Sequence, residues 1–451
     1  MNEFEFFGKN VSVIGAARSG VAVARLLQKN GAKVFVSDGA AAAKLADSVA
    51  QLQSDGIQFE TGGHSERVYN CSLMVISPGV PNDAPVVLQA QKHSVRVASE
   101  LEVASWFCSA PVVAITGSNG KTTTTTLTGR ILADAKTKHV VAGNIGTAFS
   151  SVVLGLASSD VAVLEVSSFQ LDHCESFRPR IAAILNITED HMDRYGHSMD
   201  RYAASKAKVF MNMGSEDTLV YNADDPWTLK VLPHARCRTI AVSTKQTLSE
   251  GAFVEGDSVV SVFGGVRAKI IPTEDIFIKG KHNLYNAMTA TVIAQLLGVE
   301  VASIRTTLKE FEGVEHRLEF VRELDGVRYY NDSKATNVDS VWYALQSFKE
   351  PIVLLLGGRD KGNDYSRLTE LVKANVKAVI AIGESAGTVE EAFKRTTRIY
   401  RADSMEEAVS KATAVAASGD VVILSPACAS FDWFTNYEHR GRVFKELVKK
   451  L

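Results

Sequence analysis

Residues 112–127 read VVAITGSNGKTTTTTL, and this stretch decides the fold class. Val112–Thr116 is a short run of apolar and β-branched residues, the mark of a strand buried on both faces. Gly117-Ser118-Asn119-Gly120 then turns the chain, and Lys121-Thr122-Thr123 opens a helix. Glycines in such a loop let successive backbone N–H groups face phosphate oxygens at a helix N-terminus. Lys121 then reaches the β- and γ-phosphates, and the Thr122 hydroxyl ligates Mg²⁺. The full GxxxxGK[ST] pattern needs glycine at position 115, which is Ile115 here, so the loop is a shortened variant.

Runs of the same kind recur on both sides: VSVIG (11–15), KVFVSD (33–38), LMVISPG (73–79), VAVLE (161–165), AAILN (182–186), IVLLLGG (352–358), AVIAIG (378–383) and VVILSP (421–426). Helical patterns lie between them, which is the signature of parallel α/β sheets. The strand–helix series restarts near Pro111, after ELEVASWF, and again near residue 314. These restarts divide the chain into 1–99, 100–313 and 314–451, and ~150 residues per domain fits three domains in 451 residues. Alternating polar and apolar residues over 237–278 predict a small antiparallel excursion within the middle domain.

The 49 Lys+Arg against 51 Asp+Glu leave a charge of −2, without the basic excess of a general nucleic-acid binder. With 46% hydrophobic and 22% charged residues the chain is globular rather than disordered. Five scattered cysteines without a CxxC pair argue against a disulfide framework or a zinc site and fit a reducing cytoplasm. MNEFEFFGKN has no apolar core, so no signal peptide is expected, and no apolar stretch is long enough to span a membrane.

In parallel sheets ligands bind beyond the carboxyl ends of strands. Gly15-Ala-Ala-Arg-Ser-Gly20 with Asp38 nearly copies the dinucleotide fingerprint, but its central glycine is Ala17, so a nucleotide other than NAD is expected. Ser77-Pro78-Gly79 falls on the same edge and offers backbone N–H groups to phosphates. Glu165 ends its strand before Ser167 and Ser168, as a further Mg²⁺ ligand would. In TEDHMDRYG, Asp190, His191 and Asp193 cluster at another strand end. His191 there reads equally as a metal ligand, a substrate-orienting group or a structural cap.

Taken together, TGSNGKT (116–122), GNIG (143–146), LEVSSFQL (164–171), NITEDHMDRYG (186–196), GKHNLYNA (280–287), EHR (315–317), NDSKATN (331–337), LLGGRDKG (355–362) and SPACASFDWF (425–434) resemble the Mur ligases of peptidoglycan synthesis, in particular the branch that adds D-glutamate. The resemblance implies a Rossmann-like N-terminal domain for a UDP-sugar, a central P-loop ATPase-type α/β domain, and a Rossmann-like C-terminal domain contacting ATP and the amino acid. It implies that ATP phosphorylates the carboxylate of UDP-N-acetylmuramoyl-L-alanine and that D-glutamate attacks the acyl phosphate. A cytoplasmic monomer is expected, with a C-terminal domain that closes during turnover because its amino-acid residues must meet the central ATP site.

Carried over by motif, the loop 117–123 (Gly117, Ser118, Asn119, Gly120, Lys121, Thr122, Thr123) binds ATP with Asn283, Asn286, Arg317 and Asp332. Thr122 and Glu165 hold one Mg²⁺; His191 and Lys206 serve a second, Lys206 as a carbamate. Taken alone, Lys206 reads as a surface helical lysine. Arg18, Ser19, Ser77, Gly79 and Asn144 serve the UDP-substrate, while Lys334, Thr336, Lys361, Ser430 and Tyr437 form the D-glutamate pocket. Two lysines there suit a dianionic amino acid. Two departures stand out: Gly39 and Ala40 replace polar residues after the strand-end acid, so uracil contacts must come from elsewhere, with Arg18 or Ser19 expected, and Tyr437 stands where the family example has Phe. Folylpolyglutamate synthetase shares the ATP loop, but NDSKATN and SPACASFDWF favour the Mur branch. Ligases adding L-lysine or diaminopimelate lack support, and a switch or motor ATPase would leave Lys334, Lys361 and Ser430 without a purpose.

Overall fold

The computed structural model describes residues 6–360 and 362–451. The first residues of the MNEFEFFGKN segment, and Lys361, lie outside the described residues. The described residues form three sheets. The first holds β1 (Asn10–Ile14), β2 (Lys33–Asp38), β3 (Gln58–Thr61), β4 (Leu73–Ile76) and β5 (Arg96–Ser99), in the order β3-β2-β1-β4-β5. All its pairings are parallel.

The second sheet holds β6 (Val112–Thr116), β7 (His139–Gly143), β8 (Val161–Glu165), β9 (Ile181–Ile184), β10 (Thr218–Asn222), β11 (Arg238–Ser243), β12 (Gly251–Glu255), β13 (Ser258–Phe263) and β14 (Val266–Pro272). Its order is β14-β13-β12-β11-β10-β9-β6-β8-β7, so the strand before the glycine loop lies between β8 and β9. The expected antiparallel excursion is confined to β12–β14, because β11 runs parallel to β10 and β12 parallel to β11.

The third sheet holds β15 (Glu319–Leu324), β16 (Val327–Asn331), β17 (Ile352–Gly357), β18 (Val376–Ile382), β19 (Arg398–Ala402) and β20 (Val421–Leu424), ordered β15-β16-β20-β17-β18-β19. Only the β15–β16 pairing in it is antiparallel. By packing, the chain divides into two compact units. The first runs to Thr273 and includes Tyr285–Thr307, and the second comprises Glu274–Leu284 and Leu308–Leu451. Among the described residues no helix is long and apolar enough to cross a membrane.

The first two sheets share one unit, and sequence explains how they are joined. The helix Glu100–Ser105 follows β5, with Ser99 accepting the Glu102 N–H at its start. Glu100 and Glu102 on this helix are buried. The Glu102 carboxylate accepts the backbone N–H groups of Ser176 and Phe177, each at 2.8 Å, and the Trp106 indole N–H at 3.2 Å. Glu100 accepts the Ser150 N–H at 2.7 Å, and burial pushes its carboxyl pKa up. Two acidic residues thus bury their side chains by satisfying backbone donors from the central sheet's loops.

Close packing also fixes the first βα turn. A Cβ on Gly20 would lie 1.8 Å from the Gly15 carbonyl oxygen, so only glycine lets helix Arg18–Lys29 start this near β1. Replacing Glu102 by Ala strips an acceptor from the buried Phe177 N–H and from the less buried donors of Ser176 and Trp106, and we expect a loss of about 2 kcal/mol in urea unfolding. A change below about 0.5 kcal/mol would mean those donors find water instead.

Candidate active site

Because β9, β6 and β8 are neighbours, their carboxyl ends bring together the glycine loop, Glu165 and the segment 186–193. Gly120 caps helix Lys121–Asp134 with φ +84°, and a Cβ there would sit 2.3 Å from Asn286 Oδ1. Asn186, which sequence reading passed over, clamps the loop from just beyond β9. Its backbone carbonyl accepts the Ser118 N–H at 2.9 Å, its Oδ1 the Asn119 N–H at 2.9 Å, and its Nδ2 donates to the Asn119 carbonyl at 3.1 Å. Ser118 Oγ donates to the Thr188 carbonyl at 2.8 Å and accepts the Thr188 N–H at 2.9 Å.

Lys121 Nζ donates to the carbonyls of Gly117 and Ser118, each at 2.8 Å. Thr122 Oγ1 donates to Glu165 Oε2 at 2.8 Å, and Asn144 Nδ2 to Glu165 Oε1 at 2.9 Å. Glu165 is buried, and Thr123 is buried beside Thr122 on the first helical turn. A hydroxyl touching a fixed carboxylate is an all-oxygen donor pair that fits Mg²⁺.

Lys206 is not on the surface, where its local sequence alone would put it. On helix Met199–Ala207 it is 1% exposed, donates to the Gly117 carbonyl at 2.9 Å and lies 4.4 Å over the Tyr202 ring. Burial drives its pKa well below the usual lysine value, and the charge of Lys121 pushes the same way against Asp190 and Asp172. His191 is exposed, has φ +54°, stands 3.6 Å from the Asp190 carboxylate and packs edge-on to Phe169 at 4.8 Å. Asp193 is exposed. Ser167 and Ser168 are structural: Ser167 completes a capping box with Gln170, and the Ser168 carbonyl accepts Ser205 Oγ.

A cavity of about 620 Å³ opens at the carboxyl ends of the first sheet, and Arg18, Ser19, Ser77, Gly79 and Asn144 all line it. Asp38 is held inward, its carboxylate accepting the N–H of Ala16 at 2.7 Å and of Ala40 at 2.8 Å. Arg194, also missed from sequence, donates to the carbonyls of Pro78 at 3.1 Å and Gly79 at 2.9 Å. Its guanidinium lies 4.1 Å over Phe169, so it ties the Ser77–Gly79 turn to the loop carrying His191.

In the second unit a buried guanidinium does the equivalent work. Arg440, 1% exposed, donates to Ser333 Oγ at 2.9 Å, to the carbonyls of Ser333 at 2.8 Å and Cys428 at 3.0 Å, and to Ala429 at 3.3 Å. It therefore gathers the NDSK turn, the segment before Ser430 and helix Tyr437–Lys450. Lys334 Nζ stands 5.3 Å over the Tyr437 ring, Thr336 is half-buried and Ser430 buried. Asp332 accepts Ser425 Oγ at 2.7 Å and the Leu318 N–H at 3.2 Å. Burial raises its pKa to about 7 against the opposing hydrogen bonds and the charges of Arg317 and Arg440. Asn283 donates to the Lys279 carbonyl at 2.8 Å, while buried Asn286 belongs to the first unit, beside Gly120.

A phosphate-type glycine loop, a hydroxyl–carboxylate pair and an adjoining cavity define a nucleotide-dependent enzyme on a three-sheet α/β fold. Residues 115–294 match the Mur ligase middle domain, 316–428 the Mur ligase glutamate ligase domain and 10–86 the MurD N-terminal domain. The chain belongs to the Mur ligase family. It is 47% identical to the UDP-N-acetylmuramoylalanine–D-glutamate ligase of Salinibacter ruber, over 98% of this chain and 97% of that one. With the protein of the same name from Chloroherpeton thalassium it shares 45% identity over the full length of both. Among solved structures, UDP-N-acetylmuramate-alanine ligase MurC of Thermotoga maritima has the same fold, with a TM-score of 0.61 at 20% identity, covering 98% of this chain and 99% of that one.

The raised pKa of Asp332 has a calculable consequence. Its carboxyl binds a proton near pH 7 when folded but near pH 4 when unfolded, so the native state holds more protons between those values. Stability contributed by this group therefore falls as pH rises from about 4 to about 7. We expect Asp332→Asn to gain about 1–3 kcal/mol on the wild type between pH 5 and pH 8 in chemical denaturation. Parallel pH curves would show that Asp332 ionises normally.

Proposed function

We propose that this chain is an ATP-dependent ligase that joins D-glutamate to UDP-N-acetylmuramoyl-L-alanine and releases ADP and phosphate, in cytoplasmic peptidoglycan precursor synthesis. One observation carries the reading. Asn144 lines the N-terminal cavity and also donates to Glu165, the carboxylate that accepts the Thr122 hydroxyl beside the glycine loop. A substrate seated in that cavity can therefore present its carboxylate to the terminal phosphate of ATP.

A carboxylate is a poor electrophile, and phosphorylation gives it a leaving group. The carboxylate oxygen attacks the γ-phosphorus and ADP departs, leaving an acyl phosphate. The D-glutamate amine then attacks the acyl carbon; phosphate leaves, the amine loses a proton and an amide remains. The protein's task in both steps is alignment and charge neutralisation. Lys121 and the N–H groups of 117–123 hold the phosphates. Asn283, Asn286, Arg317 and Asp332 serve the rest of the nucleotide, and Arg18, Ser19, Ser77 and Gly79 hold the UDP-substrate. Lys334, Thr336, Lys361, Ser430 and Tyr437 take D-glutamate, with the two lysines matched to its two carboxylates.

Magnesium, when bound, offsets the charge that builds on the transferring phosphoryl group. Thr122 and Glu165 suit one ion, and His191 with Lys206 suits a second. The buried setting of Lys206 supports this: with its pKa driven down, the amine has a free electron pair to add to CO₂, releasing a proton and becoming an anionic oxygen ligand.

The deciding assay offers the enzyme ATP and UDP-N-acetylmuramoyl-L-alanine with D-glutamate, L-glutamate, D-aspartate or L-lysine. Amide formation with D-glutamate alone is expected, and an equal rate with L-lysine would defeat the assignment. Lys206→Ala should lower turnover by roughly a hundredfold or more, with partial recovery on adding a short carboxylic acid. Full activity in that variant would remove the carbamate from the account.

A further inference from the structure

The N-terminal cavity is lined by a histidine, His64, that sequence did not nominate. In a Rossmann-like domain the glycine turn after the first strand takes the pyrophosphate, and the nucleoside lies across the carboxyl end of the second. Here that end is Asp38-Gly39-Ala40, where Gly39 and Ala40 have no polar side chain and the Asp38 carboxylate is held by backbone N–H groups. His64 lines the same cavity as Gly39, and a Cβ on Gly39 would lie 3.7 Å from His64 Nε2. The imidazole thus stands over the glycine, where a longer residue would otherwise project.

Its tautomer follows from hydrogen-bond accounting. Ser37 Oγ, fully buried, lies 2.7 Å from Glu60 Oε1 and 2.7 Å from His64 Nδ1. The Ser37 hydroxyl has one proton, and the Glu60 carboxylate, which also accepts the Ser65 N–H at 2.9 Å, can only receive it. Ser37 must then accept from His64, so the proton of the neutral ring sits on Nδ1. Nε2 presents a lone pair, and among the described residues it has no hydrogen-bond partner.

We propose that His64 selects the base of the nucleotide-sugar substrate by accepting the N3–H of uracil, an inference that rests on reading the cavity as the UDP-substrate site. Uracil offers a donor at N3. Cytosine has a lone pair there and would face Nε2 with like polarity. Ser37 and Glu60 are positioning residues, since they fix which nitrogen carries the proton.

Calorimetric titration of the full chain with UDP and with CDP at pH 8 tests this. The wild type should favour UDP by about tenfold, the value of one such matched against mismatched contact. His64→Phe keeps a ring without the lone pair, and His64→Ala removes it altogether; both should bring the UDP-to-CDP ratio near one. Ser37→Ala, which releases the tautomer, should give an intermediate ratio. A wild type that binds neither nucleotide would overturn the cavity reading and the inference together. UDP binding with no preference over CDP, or with an unchanged ratio in both His64 variants, would overturn the inference alone.

Discussion

The carbonyl oxygen of Gly117 accepts hydrogen bonds from two lysines, Lys121 and Lys206, and the central site is arranged around that pair. Two ammonium groups sharing one acceptor repel, and away from water the repulsion is weakly screened. The fold relieves it unevenly. Lys121 stays at the glycine loop, while Lys206, fully buried, is pushed towards the neutral amine. That asymmetry sets a lysine on the glycine loop beside a buried lysine held towards its uncharged form. Asn186 and Thr188, just beyond the neighbouring strand, hydrogen-bond to the glycine loop beside them.

Single side chains that tie loop to loop repeat across the molecule. Glu102 joins the linking helix to the central sheet, Arg194 joins the Ser77–Gly79 turn to the His191 loop, and Arg440 gathers three segments of the second unit. Each is a charged group whose hydrogen bonds go to the backbone, so it fixes loop positions whatever side chains those loops carry. Loops at strand ends are otherwise the least constrained parts of an α/β protein, and placing reacting groups requires them to be held.

The sequence disclosed the interior strands and the phosphate loop because both are written in local patterns. VVAIT, VAVL and IVLLL are buried on both faces, and their apolar runs cannot be mistaken. The strands QFET, RVAS, HVVAG and RIYRA escaped notice for a matching reason: each lies at a sheet edge, is only partly buried and has no such run. Interior TLVYN and VRYYN escaped because polar and aromatic residues interrupt them. Motif residues such as Lys121, Thr122 and Glu165 were legible from residue type and position alone. Asn186, Arg194, His64 and Arg440 were not, since their roles come from partners up to more than a hundred residues away that only folding brings near. Lys206 was legible only through family resemblance, because a lysine in YAASK carries no sign that its helix will bury it.

The central claim is that the loop 117–123 activates a substrate carboxylate by phosphorylating it. Oxygen-18 tracing tests that most directly. UDP-N-acetylmuramoyl-L-alanine carrying the label in both carboxylate oxygens is turned over with ATP and D-glutamate, and the released phosphate is analysed by mass. Passage through an acyl phosphate transfers one labelled oxygen to each phosphate. Unlabelled phosphate, with amide formed at the normal rate, would contradict the account.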